Sequence, residues 1–171
     1  FVKDKVIYGI NTGFGPMAQY RIDDTMQKEL QYNLVRSHAN GSGEYLTAEQ
    51  TRAVMVCRLN TLSLGYSGTH LSVIEALRNF INHKIYPVIP KHGGVGASGD
   101  LVQLAHLALG LIGEGKTHFN GVVVDVAVAL TTTGVNPPNF NNNIGYSGGS
   151  GGDPTSGTNW QFGLISAGIS P

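Results

Sequence analysis

The sequence predicts a mainly α-helical fold with small extended segments, followed by an irregular tail rich in Gly, Asn and Ser. Between about residues 23 and 112, apolar side chains recur at helical spacing behind residues that are typical of helix caps. After about residue 121 the pattern changes to a strand-like run and then to a Gly, Asn, Ser and Pro tract with few side chains able to form a core. We therefore expect a boundary near residue 120, between a region 1–120 and a tail 121–171.

The composition bounds the classes of function. The 171 residues have room for one domain of ordinary size, or for one domain with a tail. Eleven basic and eleven acidic residues give a formal net charge of zero, so no charge excess points to nucleic acid or to an anionic membrane. The single cysteine, Cys57, excludes an internal disulfide and suits a reducing compartment. No apolar run reaches the ~18 residues that a membrane span needs, and we expect a cytoplasmic protein.

The first elements are an extended segment and a helix. The stretch KVIYGINTGFG at 5–15 passes from a short apolar run into Gly, Asn and Thr, which predicts a strand or extended piece leading into a loop. Asp23 or Asp24 is expected to cap a helix that runs to about His38. Its apolar stripe holds three side chains, Met26, Leu30 and Leu34.

Two further helices are predicted from capping boxes, in which a Ser or Thr and a Glu or Gln three residues later satisfy each other's backbone N–H groups. The sequence TAEQ at 47–50 forms the first box and predicts a helix that ends near Gly65. The sequence SVIE at 72–75 forms the second box and opens a helix to about His83.

The following elements alternate between extended and helical patterns. In KIYPVIPKHGG, Pro87 and Pro90 forbid a helix and fit an irregular extended link. Asp100 is expected to cap the segment 101–113, which is apolar nearly all round and therefore predicts a buried helix. The run VVVDVAVALTTT at 122–133 predicts a strand.

The stretch GGVGASGD at 93–100 is compatible with three chemistries. Gly94, Gly96 and Gly99 have the spacing of a dinucleotide-binding turn, but such a turn follows a buried parallel strand, and the preceding segment carries two prolines. A nucleophile elbow, G-x-S-x-G, requires glycine where Asp100 stands. Both interpretations are weak.

The third chemistry uses the backbone of Ala97, Ser98 and Gly99 itself. In a tight bend, the amide nitrogen of Gly99 attacks the carbonyl carbon of Ala97, and a five-membered ring closes with loss of water. Loss of the Ser98 hydroxyl as a second water leaves an exocyclic methylene, which is an electrophile that no ordinary side chain provides. The surrounding glycines permit the backbone angles that such a bend requires.

Four segments together resemble the aromatic amino acid ammonia-lyases, a family that includes histidine, tyrosine and phenylalanine ammonia-lyases and related aminomutases. GGVGASGDLVQLAHLALGLIGEG at 93–115 resembles the prosthetic-group segment of this family, and YGINTGFG at 8–15 resembles its catalytic-tyrosine loop. QYNLVRSHANGSGE at 31–44 resembles the substrate-selectivity helix, and RLNTLSLGYSG at 58–68 resembles the helix after it. The matches occur in family order and cover roughly residues 5–118.

The resemblance implies roles for individual residues. Ala97, Ser98 and Gly99 are expected to form a methylidene-imidazolone, a self-generated group that captures the substrate amine and turns ammonia into a good leaving group. Tyr8 corresponds to the tyrosine that removes the β-proton, a role that requires a pKa below the ~10 of a free tyrosine. Gly15 is expected to line the same loop near the substrate.

Ser37 and His38 fall at the positions that set substrate selectivity in the family. The Ser-His pair resembles histidine ammonia-lyases, and some tyrosine-specific relatives carry it too, since a histidine hydrogen-bonds an imidazole or a phenol equally well. The alternative role of His38 is that of a helix-end histidine interacting with the helix dipole. The other histidines lack the spacing of a metal site, so we expect no metal. Because the dinucleotide interpretation of the glycine turn is weak, we expect no nucleotide cofactor either.

The resemblance implies deamination of an aromatic L-amino acid, histidine or tyrosine, to an arylacrylate. It also implies a homotetramer, in which neighbouring subunits complete each site. Beyond Gly121 we expect no match to the family, so the chain resembles an N-terminal portion joined to an unrelated tail, weakly active or inactive alone. Two alternatives remain, a non-catalytic helical fragment that serves as an interaction module and a dinucleotide-binding enzyme that uses the glycine turn.

Overall fold

Five α-helices, a short 3-10 helix (Gly15–Met17) and two small antiparallel sheets make up the regular structure of the described residues, which in this computed structural model are 11–23, 25–66, 69–94 and 101–138. The helices are α1 (Gln27–His38), α2 (Ala48–Ser63), α3 (Leu71–Asn82), α4 (Leu101–Leu111) and α5 (Val126–Thr133). The strands are β1 (Ser42–Tyr45), β2 (Tyr86–Pro87), β3 (Pro90–His92), β4 (Lys116–Phe119) and β5 (Val122–Asp125). The predicted mainly α class is confirmed.

Both sheets join segments that are distant in the sequence. Strand β1 pairs with β3, so that Ser42 lies opposite His92, and the second sheet has the order β2-β4-β5. The two prolines of the predicted extended link are the last residue of β2 and the first residue of β3, positions at which a missing N–H is tolerated. The segment 84–94 therefore contains two short strands, in line with the predicted extended link, and these strands attach it to two other parts of the chain.

The core lies between α4 and the helices around it. Helix α4 packs against α1, α3 and the short strands, and none of its eleven residues is exposed, which confirms the prediction of a buried helix. Phe80 and Leu77 of α3 and Met55 of α2 are fully buried in the same cluster as Leu107. Within the described ranges, every helix is too short or too polar to span a lipid bilayer.

Helix α2 begins as predicted, whereas α3 does not. The Thr47 hydroxyl accepts the N–H of Gln50, and the Gln50 side chain accepts the N–H of Thr47, so the capping box is present. At α3 the cap is His70, whose ring nitrogen accepts the N–H of Ser72. The box predicted at Ser72 is wrong because the helix already begins at Leu71, which places the Ser72 hydroxyl against the His70 ring instead.

Helix α1 begins later than predicted and buries a different face. The Asp23 carboxylate accepts the N–H and the hydroxyl of Thr25, which forms a turn before the helix rather than its cap. Gln31 and Val35, one turn apart, are the buried residues of α1. Met26 of the predicted stripe is 57% exposed, so the buried stripe lies one position further along the chain. Asp24 and Asp100 lie outside the described residues.

The run 122–133 divides into two elements. Strand β5 ends at Asp125, whose extended backbone precedes α5, and α5 ends at Thr133, followed by Gly134 in the left-handed conformation. The prediction of one strand is therefore wrong for its second half. The predicted boundary near residue 120 falls in the turn between the paired strands β4 and β5, and the division into two regions stays a prediction. Residues 139–171 of the predicted tail lie outside the described residues.

Candidate active site

The predicted selectivity helix ends next to the segment that leads into the Ala-Ser-Gly loop. Gly93 has a φ of +141°, and a Cβ atom at this position would lie 3.2 Å from the Gly41 Cα and 2.6 Å from the Val102 Cγ1. Only glycine fits such an approach at such an angle. Because Gly41 follows His38 by three residues, two motifs that are about 55 residues apart in the sequence lie side by side.

Elements on both sides anchor the loop that carries the tripeptide. Strand β3 precedes it and is paired with β1, and α4 follows it and is packed against α1. The tripeptide itself lies outside the described residues, and so does the predicted catalytic tyrosine. The site residues concerned are Tyr8, Ala97, Ser98 and Gly99.

Ser37 and His38 form the last turn of α1 with a defined set of hydrogen bonds. The Ser37 hydroxyl donates to the Leu34 carbonyl at 3.1 Å and lies 3.2 Å from the His38 Nδ1. The His38 Nδ1 lies 2.9 Å from the same carbonyl, which only accepts, so Nδ1 carries the proton. In the neutral ring the Nε2 atom is therefore an acceptor. The ring is half-buried and the Ser37 side chain is exposed.

Gly15 lies on a different loop, which closes on itself. Thr12 and Arg21 form an isolated antiparallel bridge, and the Gly13 N–H donates to the Tyr20 carbonyl at 3.2 Å. Gly15 is exposed at the start of a single 3-10 turn, with a φ of +54° that favours glycine. In the structure Gly15 therefore occupies a turn, and its expected position near the substrate stays a prediction.

An ion pair between α1 and a residue just after α4 was not predicted from the sequence. The Arg36 Nε donates to a Glu114 carboxylate oxygen at 3.1 Å, and a second guanidinium nitrogen contacts the other oxygen. The guanidinium also lies 5.4 Å from the centre of the Tyr32 ring. Glu114 raises the pKa of Arg36 further, and burial raises the pKa of Tyr32. We call this two-point ion pair the Arg36–Glu114 fork. Its partners are 78 residues apart, so no local sequence pattern predicts it.

Neither a metal site nor a dinucleotide site finds support in the part of the chain that the structure describes. In these ranges no three His, Cys, Asp or Glu side chains cluster as metal ligands would. A dinucleotide turn would follow a parallel strand, but β3 is antiparallel to β1 and only three residues long.

Comparisons with known proteins identify the family of the chain. The family model described as aromatic amino acid lyase matches residues 1–153, which extends past residue 120, where we expected the match to end. A histidine ammonia-lyase of Legionella pneumophila is 48% identical over 133 residues, 78% of this chain and 26% of that protein. A probable histidine ammonia-lyase of Thermoplasma acidophilum is 39% identical over 165 residues, 96% of this chain and 32% of that protein.

Solved structures give a similar result. The histidine ammonia-lyase of Trypanosoma cruzi has a TM-score of 0.74 at 34% identity and covers 94% of this chain and 28% of its own. The tyrosine aminomutase of Streptomyces globisporus has the same TM-score and identity, with coverage of 94% and 27%. This chain therefore spans between a quarter and a third of the length of these proteins.

Proposed function

The chain belongs to the aromatic amino acid lyase family, and we propose that its residues form part of an active site that eliminates ammonia from an aromatic L-amino acid to give an arylacrylate. The observation that supports this proposal is the close approach of Gly41 and Gly93, because Gly41 follows His38 by three residues and Gly93 precedes the tripeptide by four. Since this chain spans only part of its relatives, we expect it to be weakly active or inactive alone.

L-histidine is the substrate we propose. Two observations support it: the similarity to histidine ammonia-lyases, and the acceptor Nε2 of His38, which is able to receive an imidazole N–H. L-tyrosine is the second candidate, because a phenol O–H donates to the same atom and because the chain is also similar to a tyrosine aminomutase. The Ser37 hydroxyl, which lies 3.2 Å from the His38 Nδ1, would help to hold the His38 ring in position.

The prosthetic group of this proposal is a methylidene-imidazolone built from Ala97, Ser98 and Gly99. The residues fit the group, because Gly99 offers an amide nitrogen without a side chain and Ser98 offers a hydroxyl that leaves as water. The segment before the tripeptide supports this, since Gly93 has a φ that favours glycine and a Cβ atom there would lie 2.6 Å from the Val102 Cγ1 of α4. When formed, the group supplies an electrophile for the substrate amine.

The remaining roles belong to residues of this chain. Tyr8 would take the β-proton of the substrate, and the site would have to favour its phenolate for this purpose. Gly15 would leave room for substrate beside the tyrosine loop. The Nε2 of His38 would orient the aromatic ring and thereby set the position of the β-carbon.

We also propose a cytoplasmic homotetramer that acts in amino acid catabolism. An exposed free thiol at Cys57 suits a reducing compartment. In such an assembly, other subunits would complete the site around the residues that this chain supplies.

Intact mass measurement tests the prosthetic group. Loss of two waters lowers the mass of the purified chain by ~36 Da relative to its sequence, from the stoichiometry of this covalent chemistry. The control is Ser98→Ala, which lacks the hydroxyl and should not show this loss. A wild-type chain at its full sequence mass would refute the self-generated group and leave the non-catalytic helical fragment as the better description.

A further inference from the structure

Two histidines hold the connection between α1 and α2, residues 39–47, at its two ends. The Nε2 atom of His106, on α4, lies 3.1 Å from the backbone nitrogen of Gly41. The Nε2 atom of His118, on β4, lies 3.1 Å from the backbone carbonyl oxygen of Leu46. The two distances are equal, but the backbone partner of His106 is a hydrogen-bond donor and that of His118 is an acceptor.

This difference fixes the protonation state that each contact requires. A backbone N–H only donates, so the His106 Nε2 must accept, which requires a neutral ring with its proton on Nδ1. A carbonyl only accepts, so the His118 Nε2 must donate, and both the neutral and the protonated ring can do this. Protonation therefore breaks the contact at Gly41 and preserves the contact at Leu46.

The contact at Gly41 lies where the segment after His38 meets the segment that precedes the tripeptide. Gly41 follows His38 by three residues and touches Gly93, and α4 begins directly after the loop of the tripeptide. We propose that neutral His106 is a positioning residue, which holds the segment after His38 against α4 and releases it when the ring is protonated. The consequence for substrate rests on the proposed function, whereas the hydrogen bond itself does not.

The surroundings of His106 favour its neutral form. The ring borders a cavity of about 200 Å³, whose other titratable lining residues are Tyr45, Glu114 and Lys116. Glu114 is held by Arg36 of α1. Burial lowers the pKa of His106 below its usual value, because desolvation disfavours the charged ring.

The sign of the pH dependence follows from that direction. The unfolded chain binds the proton at a higher pH than the folded chain, so the stability contributed by neutral His106 is present above the usual histidine pKa of ~6.5. It is lost as the pH falls from that value through the lowered pKa of the folded state.

Nuclear magnetic resonance on the ¹⁵N-labelled full chain, between pH 8 and pH 5, tests the contact. We expect ring nitrogen shifts of the Nδ1–H tautomer for His106 at pH 8. Once these shifts report the protonated ring at lower pH, the Gly41 amide should lose about threefold to tenfold of its protection from hydrogen exchange, after correction for the intrinsic rate, as loss of one hydrogen bond predicts. The Leu46 amide, bonded to the Ile89 carbonyl at 2.8 Å, should keep its protection.

Two substitutions of His106 distinguish the effect of its hydrogen-bond acceptor from the effect of its positive charge. His106→Leu removes the acceptor and should lower the protection of Gly41 at both pH values. His106→Gln offers an amide oxygen that does not titrate, so it should retain protection at both values and abolish the pH dependence. If the Leu variant does not fold, the Gln variant still decides. An Nε2–H tautomer, or Gly41 protection that does not change when the wild-type His106 ring becomes protonated, would overturn the contact.

The positioning role has its own readout. The ring resonances of His38 should shift in His106→Leu and return in His106→Gln, because the segment after His38 is released and then held again. If Gly41 responds but His38 does not, the positioning role is wrong. None of these measurements uses substrate or the prosthetic group, so a chain without the ~36 Da loss would refute the proposed function and leave this test intact.

Discussion

Helices α1 and α3 have the same length and the same histidine contact at their ends, but they differ in what they bury. Each has twelve residues, and the Nδ1 atoms of His38 and His83 lie 2.9 Å from the carbonyl four residues earlier. The side chains that α3 buries are all apolar: Val73, Ala76, Leu77 and Phe80. Helix α1 buries only Gln31 and Val35. We infer that α3 mainly stabilises the core, whereas α1 contributes less to it and carries Ser37 and His38 of the proposed site.

The largest expected effect is on α3. Phe80→Ala should lower the free energy of unfolding by roughly 3–5 kcal/mol, because it removes a fully buried ring and leaves a cavity in the apolar core. Urea unfolding followed by circular dichroism measures this change. The matched variant in α1 is Val35→Ala, which removes two methyl groups and should cost clearly less. Equal losses in the two variants would contradict the division of roles.

The second prediction uses the matched histidines. His38→Leu and His83→Leu remove the same helix-end hydrogen bond, so their effects on stability should be similar. If His38 also contacts the substrate, His38→Leu should weaken binding of L-histidine by roughly tenfold, as expected for loss of one hydrogen bond, whereas His83→Leu should not. Calorimetric titration of the full chain with L-histidine measures both affinities.

Each possible outcome of that titration has a distinct meaning. Equal affinities in the two variants would leave His38 with only the helix-end role. Absence of L-histidine binding in the wild type, combined with binding of L-tyrosine, would transfer the proposal to the second substrate.

The sequence predicted features that depend on neighbouring residues and missed those that depend on distant ones. The Thr47 capping box and the buried α4 follow from local patterns, and the structure confirms both. Family membership was also predictable, because four separate motifs carry it, and the family match confirms it. The cap at His70 was missed because histidine is not among the usual cap residues.

Tertiary packing explains the remaining errors. The Gly41–His106 contact and the Arg36–Glu114 fork join residues that are 65 and 78 positions apart, and no periodicity reports such a contact. In VVVDVAVALTTT the alternating valines suggest a strand, while the structure ends the strand at Asp125 and continues as a helix. The roles of Tyr8, Ala97, Ser98 and Gly99 stay predictions, since these residues lie outside the described ranges.

The smallest expected effect concerns the fork that attaches α1. The side chains of Arg36 and Glu114 are 48% and 39% exposed, and ion pairs at such sites contribute between zero and about 1 kcal/mol. Glu114→Gln keeps an oxygen for Arg36 but removes the charge, so the free energy of unfolding should fall by less than about 1 kcal/mol. The difference should shrink in ~1 M salt, where the screening length is only about 3 Å.

Urea unfolding at low and high salt measures the effect of Glu114→Gln, and Glu44→Gln is the control. Glu44 pairs with Lys91 between β1 and β3, and its side chain is 84% exposed, so its loss should leave the unfolding midpoint unchanged. A loss above about 2 kcal/mol for Glu114→Gln would exceed what a surface pair contributes. Helix α1 would then depend on this fork for its attachment as strongly as α3 depends on its apolar face, and the contrast between the two helices would not hold.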